Sequence, residues 1–191
     1  MSFFTEDELL NSGRSYRMQK SASTIILEDS NIPITTNFDI FLSHSYLDRD
    51  RIFGIKSELE KFNYSVYVDW EVDNDLNRNN VTRESADRIR ERMKRCECLL
   101  YAISNNASQS KWMPWECGYF DGLKHKVAII PVTKLGYENF NRQEYLSLYP
   151  YLDKEKTNNG LLQLWINEHS DIYVNFNNWL TKGERPYKHQ S

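Results

Sequence analysis

Cysteine is scarce in this chain, with three among 191 residues, and glycine (seven) and proline (five) are sparse as well. So little Gly and Pro excludes collagen-like and low-complexity classes. Cys96, Cys98 and Cys117 are odd in number, and a Cys-x-Cys pair with one distant Cys lacks the fourth ligand of a structural zinc site. They read as reduced thiols, and no metal is expected. A block of Lys and Arg is missing too: 24 basic and 27 acidic residues give a net charge of −3, which argues against a nucleic-acid partner. No apolar run approaches the roughly 20 residues that span a bilayer. Residues Met1 to Glu6 end acidic where a secretory signal would be basic and then apolar. The expectation is a cytoplasmic protein without membrane contact.

What is present is a core-forming composition, 40% hydrophobic, with an unusual aromatic load of 12 Tyr, 9 Phe and 5 Trp. The length suits one domain with a terminal addition. Thr5-Glu6-Asp7-Glu8 has the form of a capping box before Leu9 and Leu10, and Ser23 to Leu27 is a short β-prone run. Residues 1–36 therefore read as an N-terminal extension, punctuated by Asn31-Ile32-Pro33, and residues 37–191 as the main domain.

Phe38 to Leu42 is an apolar run suited to a strand buried on both faces. Ile52, Ile55, Leu59 and Phe62 then share a helical face, and Ser65 to Asp69 alternates as a strand. Asn- and Asp-rich residues 71–80 read as a loop, after which Val81, Ser85, Ile89 and Met93 recur every fourth position on a basic helix. Cys98 to Ile103 and Val127 to Val132 are two further strands, separated by a helix ending near Gly122. Leu161 to Ile166 is expected to be a fifth strand, and Ile172, Phe176, Trp179 and Leu180 a helical face behind a Ser170 cap. The alternation predicts an α/β, flavodoxin-like fold: a five-stranded parallel sheet with helices on both faces. Ligands then bind at the carboxyl ends of the strands, which points to residues 43–48, 69–80, 104–116 and 133 onward.

Those loops exclude two common readings. Ser43-His44-Ser45-Tyr46 contains no glycine, so a dinucleotide fingerprint or a phosphate-cradling loop is absent there. A phosphorylatable Asp at the end of the third strand is replaced by Ser104-Asn105-Asn106, which removes a receiver domain. What matches instead is Phe38-Asp39-Ile40-Phe41-Leu42-Ser43-His44-Ser45, then Val66-Tyr67-Val68-Asp69-Trp70, then Ser110-Lys111-Trp112-Met113-Pro114-Trp115-Glu116. In this order the segments resemble the TIR domain, in particular bacterial NAD-consuming TIR proteins of Thoeris-type anti-phage defence systems. The resemblance runs from about Phe38 to Val132 and more weakly to about Leu180.

The resemblance implies that NAD is the substrate rather than a cofactor, and that Glu116 is the catalytic glutamate. The chemistry suits a carboxylate. Nicotinamide leaves as a neutral base from an already cationic ring, so the difficult species is the oxocarbenium-like ribose, which a fixed negative charge stabilises. Pro114 belongs in a helix's first turn, which puts Glu116 near the helix N-terminus. Trp112, four residues earlier, shares its face and offers a stacking surface, whereas Trp115 is turned toward the core. The resemblance adds Ser43 and His44 to the NAD pocket; Asp69, Trp70 and Arg78 are further candidates for contacts with NAD. A Ser43–His44 hydrolase pair is not expected, because adjacent residues on a strand end point to opposite sides. Relatives also suggest self-association, and a diffusible cyclic ADP-ribose isomer acting on a separate effector. Two other readings stay open: a non-enzymatic TIR interaction module, and a nucleoside deoxyribosyltransferase-like enzyme with Glu116 as covalent nucleophile.

Overall fold

The computed structural model describes residues 2–19, 24, 31–45, 49–68, 82–103, 110, 112–136 and 144–189. Four apolar segments form the centre of one sheet: β2 (Phe38–Ser43), β3 (Val66–Val68), β4 (Cys96–Ile103) and β5 (Val127–Thr133). They run parallel in the order β3-β2-β4-β5, and β6 (Tyr151–Lys156) joins β5 in parallel through Ile129 and Tyr151. Three strands then extend the sheet antiparallel: β7 (Leu162–His169), β8 (Ile172–Asn175) and β9 (Tyr187–Lys188).

The two faces of the sheet bury different clusters because side chains alternate along each strand. Ile40, Leu42, Cys98, Leu100, Ala128 and Ile130 face α2 (Arg49–Lys61), which contributes Ile52, Phe53, Ile55 and Leu59. Phe41, Leu99, Tyr101 and Ile129 face the opposite way, toward Ile89 and Met93 of α3 (Arg83–Lys94) and Met113, Cys117 and Phe120 of α4 (Trp112–Lys124). Helices therefore cover both faces, as the alternation predicts. Thr82 caps α3 by a reciprocal pair of bonds with Ser85, while Val81 lies outside the described residues.

The N-terminal extension packs onto this frame. Thr5 Oγ1 accepts from the Glu8 amide, so the expected cap starts α1 (Glu6–Gln19). The preceding β1 (Phe4–Thr5) pairs in parallel with Val132 and Thr133 of β5, and the Ser2 carbonyl accepts from the Lys154 amide of β6. Phe4 and Leu9 are fully buried among the α2 residues. α1 crosses α2 almost backbone to backbone: a Cβ on Gly54 would lie 2.0 Å from the Leu9 carbonyl oxygen, and one on Gly13 2.4 Å from that of Asp50. Ion pairs Glu6–Arg51, Arg17–Asp50 and Glu8–Lys154 frame the contact. Of the β-prone run at 23–27, only Thr24 is among the described residues.

Two C-terminal expectations need correction. The fifth parallel strand is Tyr151–Lys156, and the run at 161–166 belongs to antiparallel β7. Ile172 to Asn175 is strand rather than helix, so α5 spans only Phe176–Lys182 and is capped by the Asn175 side chain, which accepts from the Asn177 amide at 3.0 Å. Both errors have one origin. Val174 points into the core from a strand, and the 172/176/179/180 spacing imitates a helical face across a strand-to-helix junction.

Candidate active site

At the carboxyl ends of β2 and β4 the chain places polar side chains where both neighbouring strands are otherwise apolar. Ser43 is the last residue of β2 and is 1% exposed, and His44 and Ser45 beyond it are also buried. Across the ladder Ser43 pairs with Tyr101 of β4, so both side chains point at α4.

α4 begins at Trp112 with Pro114 as its third residue, and the Ser110 hydroxyl accepts from the Met113 amide at 3.3 Å. One of the unsatisfied amides of the first turn is thereby held, and Pro114 has none to offer. The buried stripe of the helix is Met113, Glu116, Cys117 and Phe120, the 3.6-residue pattern of a core face. Glu116 is the one carboxylate in that stripe. It is 5% exposed, and the Ser43 hydroxyl donates to its Oε2 at 2.6 Å. A bond to a charged acceptor of this kind contributes about 1.5–3 kcal/mol, and it fixes the direction in which the carboxylate points.

His44 serves the backbone. Its Nδ1–H donates to the Leu42 carbonyl at 3.2 Å, while the Ser43 proton is directed to Glu116. Ser43 and His44 thus do not form a nucleophile–base pair, as the strand geometry predicts. Asp69, Trp70 and Arg78 lie outside the described residues.

Trp112 is half-buried, one turn before Glu116 on α4, and packs on the same cluster as Met113 and Cys117. Trp115 departs from expectation. It is not a core residue but a half-buried one, edge-on to Trp112 at 5.3 Å, stacked on Tyr119 at 5.9 Å and covered by the Arg90 guanidinium of α3 at 5.3 Å. The helix phase takes Trp115 sideways to the seam with α3, because Met113, Cys117 and Phe120 already fill the face toward the sheet.

Two tyrosines near the carboxylate escape sequence reasoning. The Tyr101 hydroxyl lies 3.3 Å from that of Tyr145, which comes from a 3-10 turn over Glu144–Leu148. Burial pushes the Tyr101 hydroxyl far above its ordinary range, and Tyr145, Cys117 and Glu116 add to the effect. It therefore remains a neutral hydrogen-bonding group beside Glu116. Its signal in the sequence is a polar tip in the apolar run Cys98 to Ile103; Tyr145 gives none. The cysteines are free and buried, and burial raises Cys117 to about 11 and Cys96 to about 12, so neither supplies a thiolate.

Residues 40–165 match the family model described as "TIR domain". The chain belongs to the TIR domain family. It is 47% identical over 190 residues to a Bacillus cereus (strain MSX-D12) protein named "Probable 3' cyclic ADP-D-ribose synthase ThsB'", covering 94% of this chain and 98% of that one. A Cytobacillus dafuensis protein named "Putative cyclic ADP-D-ribose synthase TIR2" is 29% identical over 94 residues, 49% of this TIR chain and 25% of its own. Among the described residues no helix is long and apolar enough to cross a membrane.

Proposed function

We propose that this TIR protein cleaves the nicotinamide–ribose bond of NAD and closes the remainder into a cyclic ADP-ribose isomer, a signal for a separate effector in Thoeris-type anti-phage defence. The observation that carries the reading is the buried Glu116 carboxylate, held by Ser43 at the carboxyl edge of the parallel sheet. The near full-length similarity to a protein named as a 3′ cyclic ADP-D-ribose synthase supports the choice of product.

The bond from the ribose to the pyridinium nitrogen breaks with its electron pair going to nicotinamide, which leaves neutral. Positive charge then sits on the ribose, and Glu116 stabilises it from a site where water screens little. The Ser43 hydroxyl keeps that carboxylate oriented before substrate arrives, so little reorganisation is needed at the moment of cleavage. A hydroxyl of the second ribose or an adenine nitrogen of the same molecule attacks the cation from the open face; an attacking hydroxyl loses its proton as the ring closes. A 3′ isomer calls for the ribose hydroxyl. Trp112, one turn from Glu116, supplies the flat surface that stacks a base, with Asp69, Trp70 and Arg78 as further candidates for NAD contacts. Burial of Ser43 and His44 at the strand end fits a role in lining the pocket. The enzyme works in the cytoplasm, where NAD is found, and its self-association would use the amphipathic helix α3 and the loop before it.

The test is incubation of concentrated protein with NAD and mass detection of nicotinamide and every ADP-ribose isomer. Stoichiometric nicotinamide and a cyclic isomer are expected. Intact NAD at all protein concentrations would leave the interaction module as the better reading, and a trapped glycosyl-enzyme on a fluorinated deoxyribonucleoside would favour the transferase.

A further inference from the structure

The antiparallel half of the sheet has two unlike faces. Leu152, Leu164, Ile166 and Val174 point into the core beneath Phe176, Trp179 and Leu180 of α5. The residues between them, Asp153, Trp165, Asn167 and Tyr173, point the other way and line a groove of about 500 Å³. That is the size of a small-ligand pocket. Its nearest strand, β6, lies three positions from β2 in the sheet order and the others lie farther, so at roughly 5 Å per strand the groove begins about 15 Å across the sheet from β2.

At its floor is Asp153, 2% exposed, whose Oδ1 has no hydrogen-bond partner. Its buried neighbour Asn167 hydrogen-bonds the Asp153 carboxyl and also reaches the carbonyls of Tyr151 and Trp165, at 3.4 and 3.3 Å, which leaves one carboxylate oxygen over. Burial pushes the Asp153 carboxyl up to about 6. At neutral pH the fold thus holds an ionised, incompletely paired carboxylate in a place where it costs stability, which is characteristic of a site built for something other than folding.

The walls are aromatic and fixed in advance. The Trp165 indole N–H donates to the Glu155 carbonyl at 3.2 Å, and its ring stands edge-on to Tyr173 at 5.5 Å. Tyr173 stacks on His189 at 3.8 Å with 7° between the rings, and the His189 Nε2–H donates to the Tyr173 carbonyl at 3.0 Å. Tyr187 closes the stack at 4.3 Å. A carboxylate acceptor in a groove lined by aromatic rings attracts a cation by Coulomb attraction, and any ring face left open to the groove adds the attraction of its quadrupole. The same carboxylate repels phosphate, which separates this groove from a nucleotide site.

We propose that this groove is a second ligand site, distinct from Glu116, which binds a small organic cation whose guanidinium or ammonium group donates to Asp153 while its carbon chain lies against Trp165 and Tyr173. Binding gives Asp153 Oδ1 the partner it lacks, beside the bond that Asn167 already makes to the carboxyl, so the ligand stabilises the protein as well as occupying it.

The experiment uses the whole chain and agmatine as probe, with butylurea as its neutral counterpart, followed by backbone amide shifts and melting temperature. Saturable agmatine binding is expected, with shifts centred on residues 153, 165, 167 and 173, a rise in melting temperature, and no response to butylurea. Asp153→Asn should weaken binding by at least about tenfold while melting no lower than the parent, and Trp165→Leu gives a second loss by removing a wall. Glu116→Gln should bind agmatine like the parent, so the result is independent of NAD turnover. Equal binding by Asp153→Asn, equal response to butylurea, or no saturable shift at millimolar agmatine would each overturn the proposal. Shifts at these residues with AMP but not with agmatine would overturn it in favour of a nucleotide.

Discussion

The Ser43 hydroxyl donates to Glu116 at 2.6 Å across 73 residues of sequence, joining the end of the first parallel strand to the one carboxylate on the buried face of α4. Without it, Glu116 would be a charged group in an apolar stripe with one fewer constraint on its direction.

Glu116→Gln should abolish nicotinamide release, because it keeps size and hydrogen bonding but removes the charge that meets the ribose cation. The expected loss is at least about 10²-fold, the scale of removing one preorganised electrostatic contact. Nicotinamide release is measured beside a melting curve; a folded variant with retained activity would show that another group carries the charge.

Ser43→Ala should reduce kcat by about tenfold to a hundredfold and leave more activity than Glu116→Gln does. Since Ser43 is read as acting largely through Glu116, the two changes should not add: Ser43→Ala in a Glu116→Gln background should cost little more. Full additivity would show that Ser43 works on the substrate alone.

Much of the fold and of the site is legible in the sequence. β2, β4 and β5 are continuous apolar runs because both of their faces are covered, and such runs announce themselves. The carboxylate at 116 is conspicuous for breaking an apolar stripe. β6 is not legible, since Tyr-Leu-Asp-Lys-Glu-Lys has only two core residues, Tyr151 and Leu152, at its start and is charged thereafter, and a single register pair joins it to β5. Tyr145 and the groove at Asp153 depend on contacts between distant segments, for which no local pattern exists. The place of Trp115 is not legible either, because a 100° turn away from Glu116 leads to the seam with α3, beside Arg90, as readily as to the core.

Trp112→Ala and Trp115→Ala should fail differently. Trp112→Ala should raise KM for NAD or shift the ratio of cyclic to linear product. Trp115→Ala removes the partner of both Tyr119 and Arg90 and should lower stability by about 1–3 kcal/mol, less than a fully buried Trp would cost. Melting curves and product ratios on both variants separate the roles; an inactive, fully stable Trp115→Ala with an unaffected Trp112→Ala would exchange them.

The stability of Asp153→Asn relative to the parent should depend on pH. The parent's carboxyl is raised from 3.8 to about 6 on folding, so the folded state holds its proton more tightly than the unfolded state between those values. Parent stability therefore falls as pH rises through that window and carries the full cost above it, about 3 kcal/mol for a shift of two units. Denaturant midpoints should coincide for the two proteins near pH 4 and favour Asp153→Asn near pH 8. A constant difference across that range would place the Asp153 carboxyl in its ordinary range.

Gly54→Ala should be among the most damaging small substitutions. The added methyl group meets the backbone of Leu9, which cannot swing aside, so α1 must lift from α2 at a cost at or above the roughly 1–3 kcal/mol of ordinary overpacking. Gly122→Ala, with nothing near its Cβ position, serves as the control. Equal melting temperatures would mean that the helices are free to separate.

Because Phe4 and Thr5 pair along Val132 and Thr133, this strand leaves the ribosome long before its partner does and finds its place only after well over a hundred further residues have followed it. At about 5–20 residues per second that is a wait on the order of ten seconds, with Phe4 and Leu9 lacking the core they will enter. Fragments cut short by interrupted translation lack the frame that seats this strand, so they leave Phe4 and Leu9 exposed.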